Sequence, residues 1–209
     1  MKAPEWSIAG NIGSGKSTLI KKLNLQGMNV KEEPVNEWTI LPRFYENMSR
    51  WSFALQVQIL LSVTTQNAQP YLIERSPWES LKIFSQLARD QNLFDSEEYS
   101  ILEQLHERIA WNPKNFIYLR TEPEICCERI KKRGRECEND INDQYVKDLH
   151  YYYEKETKLL NNCIVVDASK SADEVLESVL SKMTTTRKND YYSKSFVSKM
   201  GEKVKNNLN

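Results

Sequence analysis

Gly10-Asn11-Ile12-Gly13-Ser14-Gly15-Lys16-Ser17-Thr18 fills every required position of the pattern G-x-x-x-x-G-K-[ST]. It lies between a short apolar segment, Trp6-Ser7-Ile8-Ala9, and a helix-like one from Leu19 to Leu25. In that setting the glycines let the backbone wrap so that consecutive N–H groups point at phosphate oxygens. The N-terminus of the following helix adds positive potential, Lys16 reaches the β- and γ-phosphates, and the Ser17 hydroxyl is a ligand for Mg²⁺. A chance glycine-rich turn would need neither the strand before it nor the helix after it. The stretch from Gly10 to Thr18 predicts a site for a nucleoside triphosphate with Mg²⁺.

The chain of 209 residues fits one domain with a sound core. A 40% hydrophobic and 28% charged composition is that of a soluble globular protein. The formal net charge of zero argues against a nucleic-acid-binding body, and no apolar run approaches a membrane span. With the loop beginning at Gly10, no signal or transit peptide is expected. The four cysteines, Cys126, Cys127, Cys137 and Cys163, show no C-x-x-C spacing, and His106 and His150 stand alone. Free thiols in a reducing, cytoplasmic compartment are expected, without a cysteine–histidine metal centre. From Lys182 to Asn209 seven Lys/Arg face two Asp/Glu among many Ser, Thr and Asn. That composition predicts a domain over residues 1–181 and a solvated, partly disordered basic tail over 182–209.

Five short apolar segments punctuate the chain: Trp6–Ala9, Met28–Lys31, Tyr71–Ile73, Asn115–Leu119 and Cys163–Val166. Between them run helical stripes, Leu19/Ile20/Leu23, then Phe53/Leu55/Ile59/Leu60/Val63, then Ile101/Leu102/Leu105/Ile109. Strands alternating with helices predict an α/β fold, a five-stranded parallel sheet with helices on both faces. Such sheets bind ligands beyond the carboxyl ends of their strands. The loop follows the first segment, Glu33-Pro34 the second, Glu74-Arg75-Ser76 the third, Arg120 the fourth and Asp167-Ala168 the fifth. Charges far apart in sequence are therefore predicted to converge on one crevice.

Within that crevice Glu33, held by Pro34, is placed to accept a proton from an attacking hydroxyl. Glu74 is a carboxylate for Mg²⁺ or its water, and Arg75 a guanidinium for a phosphate or a developing alkoxide. Alone, each would read as a solvated surface residue; the shared strand-end placement changes the odds. The segment Leu119–Arg135 reads as a strand end, a cap at Thr121 or Glu122, Pro123 at the first helical position, and a stop at Gly134. Arg129 and Arg133 share a helix face and Arg135 follows the stop, a set able to clamp a transferring phosphoryl group.

The blocks GNIGSGKST, EEPVNEW, the run Trp51–Gln56, ERSPW and LRTEPEICCERIKKRGRECE occur in this order over most of residues 6 to 170. Together they resemble the deoxyribonucleoside kinase family, the type of deoxycytidine and deoxyguanosine kinases, mitochondrial thymidine kinase and the insect multisubstrate enzyme. The resemblance implies a P-loop kinase fold with an arginine-rich lid containing Arg129, Arg133 and Arg135. It implies Glu33 as the base for the nucleoside 5′-hydroxyl, Arg75 beside that hydroxyl, Lys16 on the phosphates, and Glu74 with Ser17 on the magnesium side. Tyr45 and Glu138 match the pair that holds the sugar 3′-hydroxyl, Gln56 the amide on the base edge and Phe84 the ring stacked on it. Trp38 matches a pocket wall, and Asp167-Ala168-Ser169 the loop packed on the adenine. The family usually forms homodimers through helices.

Purine- and cytidine-preferring members carry an arginine on the Gln56 helix facing an aspartate; the corresponding positions here are Val63 and Ser80. With Ile59 on the same helix, the pocket has space for a 5-methyl group, and Gln56 can reverse its amide to serve thymine or cytosine. The expectation is a pyrimidine deoxynucleoside kinase of nucleotide salvage, with thymidine and deoxycytidine both accepted and ATP as donor. The nearest alternative is a nucleoside monophosphate kinase such as thymidylate kinase, whose charged acceptor needs extra cations and no strong base. A nucleotide-dependent switch is a third reading, but no N-K-x-D segment is visible. Neither nucleic acid nor a membrane is expected as a partner, and the compact chain suits a cytoplasmic enzyme, virus-encoded in origin.

Overall fold

A computed structural model describes residues 3–64, 70–138 and 141–186. Five strands, β1 (Trp6–Ala9), β2 (Val30–Lys31), β3 (Leu72–Glu74), β4 (Asn115–Arg120) and β5 (Cys163–Asp167), form one sheet in the order β2-β3-β1-β4-β5. Every neighbouring pair is parallel. Each return crossing therefore needs a helix, which covers the sheet on both faces as expected. The α/β reading of the alternating pattern holds, with β3, β4 and β5 each ending one residue beyond the apolar runs.

Side chains alternate across the sheet with the strand period of two. On β4, Ile117 and Leu119 join Trp6 and Ile8 in a core roofed by Leu19, Ile20 and Leu23 of α1 (Lys16–Leu25). The last described helix, α9 over 172–186, completes this layer with Val175, Leu176, Val179 and Met183. The domain boundary expected at residue 181 falls inside this helix, because Met183 still has apolar sheet beneath it. Of the expected basic tail, 187–209 lies outside the described residues.

On the opposite face Phe116 and Tyr118 of β4 meet Leu55 and Ile59 of α3 (Met48–Thr64) and Leu149 and Tyr153 of α8 (Asp143–Thr157). Between these helices α4 (Pro77–Glu79) runs on through a π-helical stretch, Ser80–Ser85, into α5 (Gln86–Asp90). A π segment of that length shifts the phase of its side chains and is common at functional sites. Outside α3, helix α6 (Ser96–Ile109) covers a satellite core with Tyr99 and Leu102. Its buried stripe is turned relative to the expected one, leaving Ile101 exposed.

Local chemistry fixes the helix ends. Asp95 accepts from the Glu98 N–H at 2.8 Å while Glu98 accepts from the Asp95 N–H at 3.1 Å, a reciprocal cap on α6. Asn142 caps α8 through the Tyr145 N–H at 2.7 Å. Helix α7 (Pro123–Arg133) starts at proline and stops at Gly134 with φ +62°, as its sequence predicts. Glu122 stands at its N-cap, but its carboxylate turns to Arg120 at 2.6 Å instead of capping.

Replacing Met183 with alanine should cost about 2 kcal/mol of stability, the low end for deleting a buried methionine near a helix end. Urea unfolding of wild type and Met183→Ala checks it; an unchanged midpoint would return the domain boundary to residue 181.

Candidate active site

The loop expected from Gly10 to Thr18 wraps between β1 and α1. Gly10, Gly13 and Gly15 all have positive φ. At Gly13 the need for glycine is steric as well, since a Cβ there would lie 2.5 Å from the Cys126 carbonyl oxygen on α7. Residues Ile12 to Thr18 line a cavity of about 570 Å³, within the usual range for a small-molecule site. Gly10 and Asn11 are not among the lining residues. The Asn11 side chain turns inward, donating to the Val146 carbonyl at 2.8 Å and accepting from the Ile12 N–H at 2.8 Å. Asn11 thus ties the loop to α8 instead of facing a ligand.

Lys16 Nζ donates to the loop's own carbonyls, Gly10 O at 2.7 Å and Asn11 O at 2.8 Å. Burial, then the Arg75 charge, lowers its pKa against the pull of Glu74, Glu33 and Glu79. The Ser17 hydroxyl donates to Glu74 Oε1 at 2.8 Å, and the Glu33 N–H reaches Glu74 Oε2 at 3.4 Å. Glu74 therefore joins α1 to the turn after β2. A hydroxyl beside a carboxylate is a hard oxygen donor set that fits Mg²⁺, which completes its shell with phosphate oxygens and water. Among the described residues no group of three His, Cys, Asp or Glu could hold a metal by itself.

Glu33 Oε1 stands 2.5 Å from Arg75 Nε, with both side chains over nine-tenths buried. The contact is an ion pair without hydrogen-bond geometry, and neither atom has a hydrogen-bond partner among the described residues. Burial pushes the Glu33 pKa up to about 7, with Glu74 and Glu79 adding to the rise and Arg75 and Lys16 opposing it. Burial works against the Arg75 charge, but Glu33 foremost, then Tyr153, Glu79 and Glu74, hold its pKa above the ordinary value. Arg75 adopts φ +62°, a left-handed conformation unusual for a side-chain-bearing residue, and its guanidinium lies 4.2 Å over the Phe84 ring.

Away from the loop the cavity becomes an apolar chamber. Trp38, Tyr45, Gln56, Ile59, Phe84 and Glu138 line it as expected, joined by residues the sequence reading missed: Val35, Leu41, Phe44, Leu55 and Tyr145. Ser80 does not line it. The Ser80 hydroxyl donates to Gln56 Oε1 at 2.9 Å, so Ser80 stands behind the amide. Glu138 is paired with Arg135 at 2.7 Å and with Arg133. Arg129 bridges the loop and the β5 end, donating to Ala168 O at 2.9 Å and Ser14 O at 3.4 Å. All three arginines line the cavity, as does Ala168. Asp167 does not; it is exposed and accepts from the Ser169 N–H and hydroxyl at 3.0 and 2.5 Å.

A triphosphate loop, a buried acid–guanidinium pair and an aromatic chamber thus share one cavity. Residues 6–188 match the deoxynucleoside kinase family. The chain belongs to that family. It is similar to a thymidine kinase of ictalurid herpesvirus 1, 31% identical over 83% of this chain and 82% of the relative. A probable deoxycytidine kinase of fowlpox virus is 32% identical over 71% of this chain and 69% of its own length. Among solved structures, the deoxyadenosine kinase of M. mycoides with products dCMP and a flexible dCDP bound superposes with a TM-score of 0.78. That match is 27% identical and covers 87% of this chain and 98% of the other. As a deoxynucleoside kinase the chain is an ATP-dependent phosphotransferase with a P-loop kinase fold. The monophosphate kinase alternative is not favoured.

Glu79 and Tyr153 also escaped the sequence reading, although both are fully buried beneath the site. The spacing Tyr145, Leu149, Tyr152, Tyr153, Thr157 behind the Asn142 cap signals Tyr153 by marking α8 as a core helix, and Ser76-x-x-Glu79 is a capping-box spacing that signals Glu79 only as a helix-start residue. For this deoxynucleoside kinase, Gly13→Ala should abolish nucleotide binding to the loop, since it combines a strained φ with a backbone clash. Calorimetric titration with ATP–Mg²⁺ checks it; affinity within about threefold of wild type would show that α7 yields to the new Cβ.

Proposed function

We propose that this kinase transfers the γ-phosphoryl group of ATP to the 5′-hydroxyl of a pyrimidine deoxynucleoside, accepting both thymidine and deoxycytidine. The observation that carries the reading is the Glu33–Arg75 pair, whose facing atoms are buried and lack hydrogen-bond partners among the described residues, and whose side chains line the cavity shared by the loop and the apolar chamber. Buried polar atoms are otherwise almost always satisfied. A neutral hydroxyl that donates to Glu33 and accepts from Arg75 satisfies both at once. An acceptor phosphate would instead bring two negative charges against a carboxylate.

In this reading Glu33 takes the 5′-hydroxyl proton at Oε1 as the oxygen attacks. Its pKa near 7 suits a base that must both accept and later release that proton. Arg75 offsets charge on the attacking oxygen. Lys16 leaves the Gly10 and Asn11 carbonyls for the phosphate oxygens, which are stronger, charged acceptors. Arg129, Arg133 and Arg135 serve the phosphates from α7 and the turn after it. Ser17 and Glu74 would hold Mg²⁺, which when bound with ATP supplies positive charge at the phosphate oxygens. Tyr45 and Glu138 serve the sugar 3′-hydroxyl, and Trp38 and Phe84 the faces of the base.

Pyrimidine preference rests on the neutral surroundings of Gln56, with Ile59 in the chamber wall and Ser80 behind the amide. The three related proteins are named for three different nucleosides, so their names do not decide it. Family likeness also supports a homodimer packed through helices, and the viral relatives support a virus-encoded origin. No described helix is long and apolar enough to cross a membrane.

Below about pH 7 Glu33 holds its proton and cannot accept another, so kcat/KM should rise about tenfold per pH unit up to about 7 and then level. Glu33→Gln should erase that limb and lower kcat by about 10²–10⁴-fold, with ATP affinity kept. Turnover near wild type in this variant would reject the base. In a four-nucleoside assay, thymidine and deoxycytidine should exceed deoxyadenosine and deoxyguanosine in kcat/KM by about tenfold or more. A purine preference would reject the specificity, and faster transfer to thymidylate than to thymidine would reject the acceptor.

A further inference from the structure

Glu79 is completely buried, yet it is not among the residues lining the cavity, and the transfer just described gives it no role. A carboxylate out of water is costly unless donors surround it. Three donors do so. Tyr153 Oη of α8 donates to Oε1 at 2.8 Å, the Gly10 N–H to Oε1 at 3.4 Å, and the Ser76 N–H to Oε2 at 3.1 Å. These donors open the phosphate loop, follow Arg75 in its turn, and stand at the centre of α8. One side chain therefore touches the donor half of the site, the acceptor half and the helix beneath both.

The turn it grips is the strained one. Arg75 at φ +62° is held between its own N–H bond to Ile8 O at 3.1 Å and the Ser76 N–H bond to Glu79. Tyr153 is fixed in turn, stacked on Tyr118 with an interplanar angle of 10° and edge-on to Phe84, over which the Arg75 guanidinium lies. A glutamine of the same shape could not replace the carboxylate. Its NH₂ would face either the Ser76 N–H or the Gly10 N–H, donor against donor.

We propose that Glu79 is a positioning residue for phosphoryl transfer: its carboxylate ties the first N–H of the glycine loop to the Arg75–Ser76 turn, and so sets the separation between the phosphate cradle and the Glu33–Arg75 pair. The inference rests on Glu33 being the base. It goes beyond that reading by assigning the registration of the two halves to a residue that touches neither substrate. Misplacement of reacting groups by about 1 Å costs on the order of 10²-fold in rate.

The test compares wild type, Glu79→Gln and Tyr153→Phe as full-length proteins, with thymidine and ATP–Mg²⁺, each normalised to folded protein by circular dichroism. Glu79→Gln should lower kcat by about tenfold or more and leave both KM values within about threefold. Tyr153→Phe loses one tether, so kcat should fall several-fold with both KM values kept. A merely structural glutamate would lower the yield of folded enzyme without changing kcat per folded molecule, and an unchanged kcat in folded Glu79→Gln overturns the inference. If Glu79→Gln does not fold, Tyr153→Phe decides, and unchanged kcat there overturns it. Wild type that transfers to no deoxynucleoside overturns both readings; active wild type with unaltered variants overturns this one alone.

Discussion

The contact between Glu33 and Arg75 sets the electrostatics of everything around it. Taking both groups out of water costs several kcal/mol per ion, which their mutual attraction roughly offsets. Such a pair contributes little to stability, but losing one partner costs about 3–5 kcal/mol because the other is stranded. The surroundings are not neutral either. Glu33, Glu74 and Glu79 face Lys16 and Arg75, one acid more than the bases can match. Burial raises the Glu33 proton affinity to the middle of the physiological range against the pull of Arg75 and Lys16, which Glu74 and Glu79 only partly offset, while Arg75 is held charged. A carboxyl group near neutrality is thus first a product of burial.

The fold makes this crowding possible because parallel strands deliver their carboxyl ends to the same edge. β1 gives the loop, β3 gives Glu74 and the Arg75 turn, and the segment after β2 gives Glu33. The arrangement is tight enough that backbone strain is tolerated. Arg75 in the left-handed region costs on the order of 1–3 kcal/mol. Its neighbour Ser76 is pinned by Glu79, Pro77 starts α4 at once, and the guanidinium gains a face on Phe84. A cation–π contact of this kind, desolvated, recovers about 2 kcal/mol. The π-helical stretch Ser80–Ser85 then lets Ser80 and Phe84, four residues apart, serve the back of Gln56 and the chamber wall respectively.

What the sequence disclosed and what it hid follow from the range of the forces involved. The loop, the alternation of strands and helices and the proline start and glycine stop of α7 are local, written in glycine, proline and alternating apolar residues, and they were legible. So were Glu33, Glu74 and Arg75, because topology carries strand ends to one edge. Partners chosen through space were not. Nothing in Glu79 or Tyr153 announces that they meet across 74 positions, or that Asn11 turns inward to α8. Ser80 was assigned to the pocket but stands behind Gln56, and Asp167 caps its own turn instead of facing the cavity. The boundary at residue 181 failed for a related reason: charge composition changes there, but Met183 still has a core to fill.

In the proposed reading, the pairing of Gln56 with Ser80 leaves the pocket open to more than one base. An amide presents a donor and an acceptor in one plane, and which faces the base depends on what stands behind it. A carboxylate behind Gln56 would only accept, locking the NH₂ towards itself. A hydroxyl donates or accepts with a rotation of its hydrogen, so either orientation of the amide keeps a partner. Thymine and cytosine demand opposite orientations, one offering N–H beside a carbonyl and the other a lone pair beside an amino group. Apolar Ile59 and Leu55 line the same cavity. For the proposed pyrimidine kinase, breadth between thymine and cytosine then follows from a neutral, reversible contact, and narrowing it would require an obligate donor or acceptor at position 80.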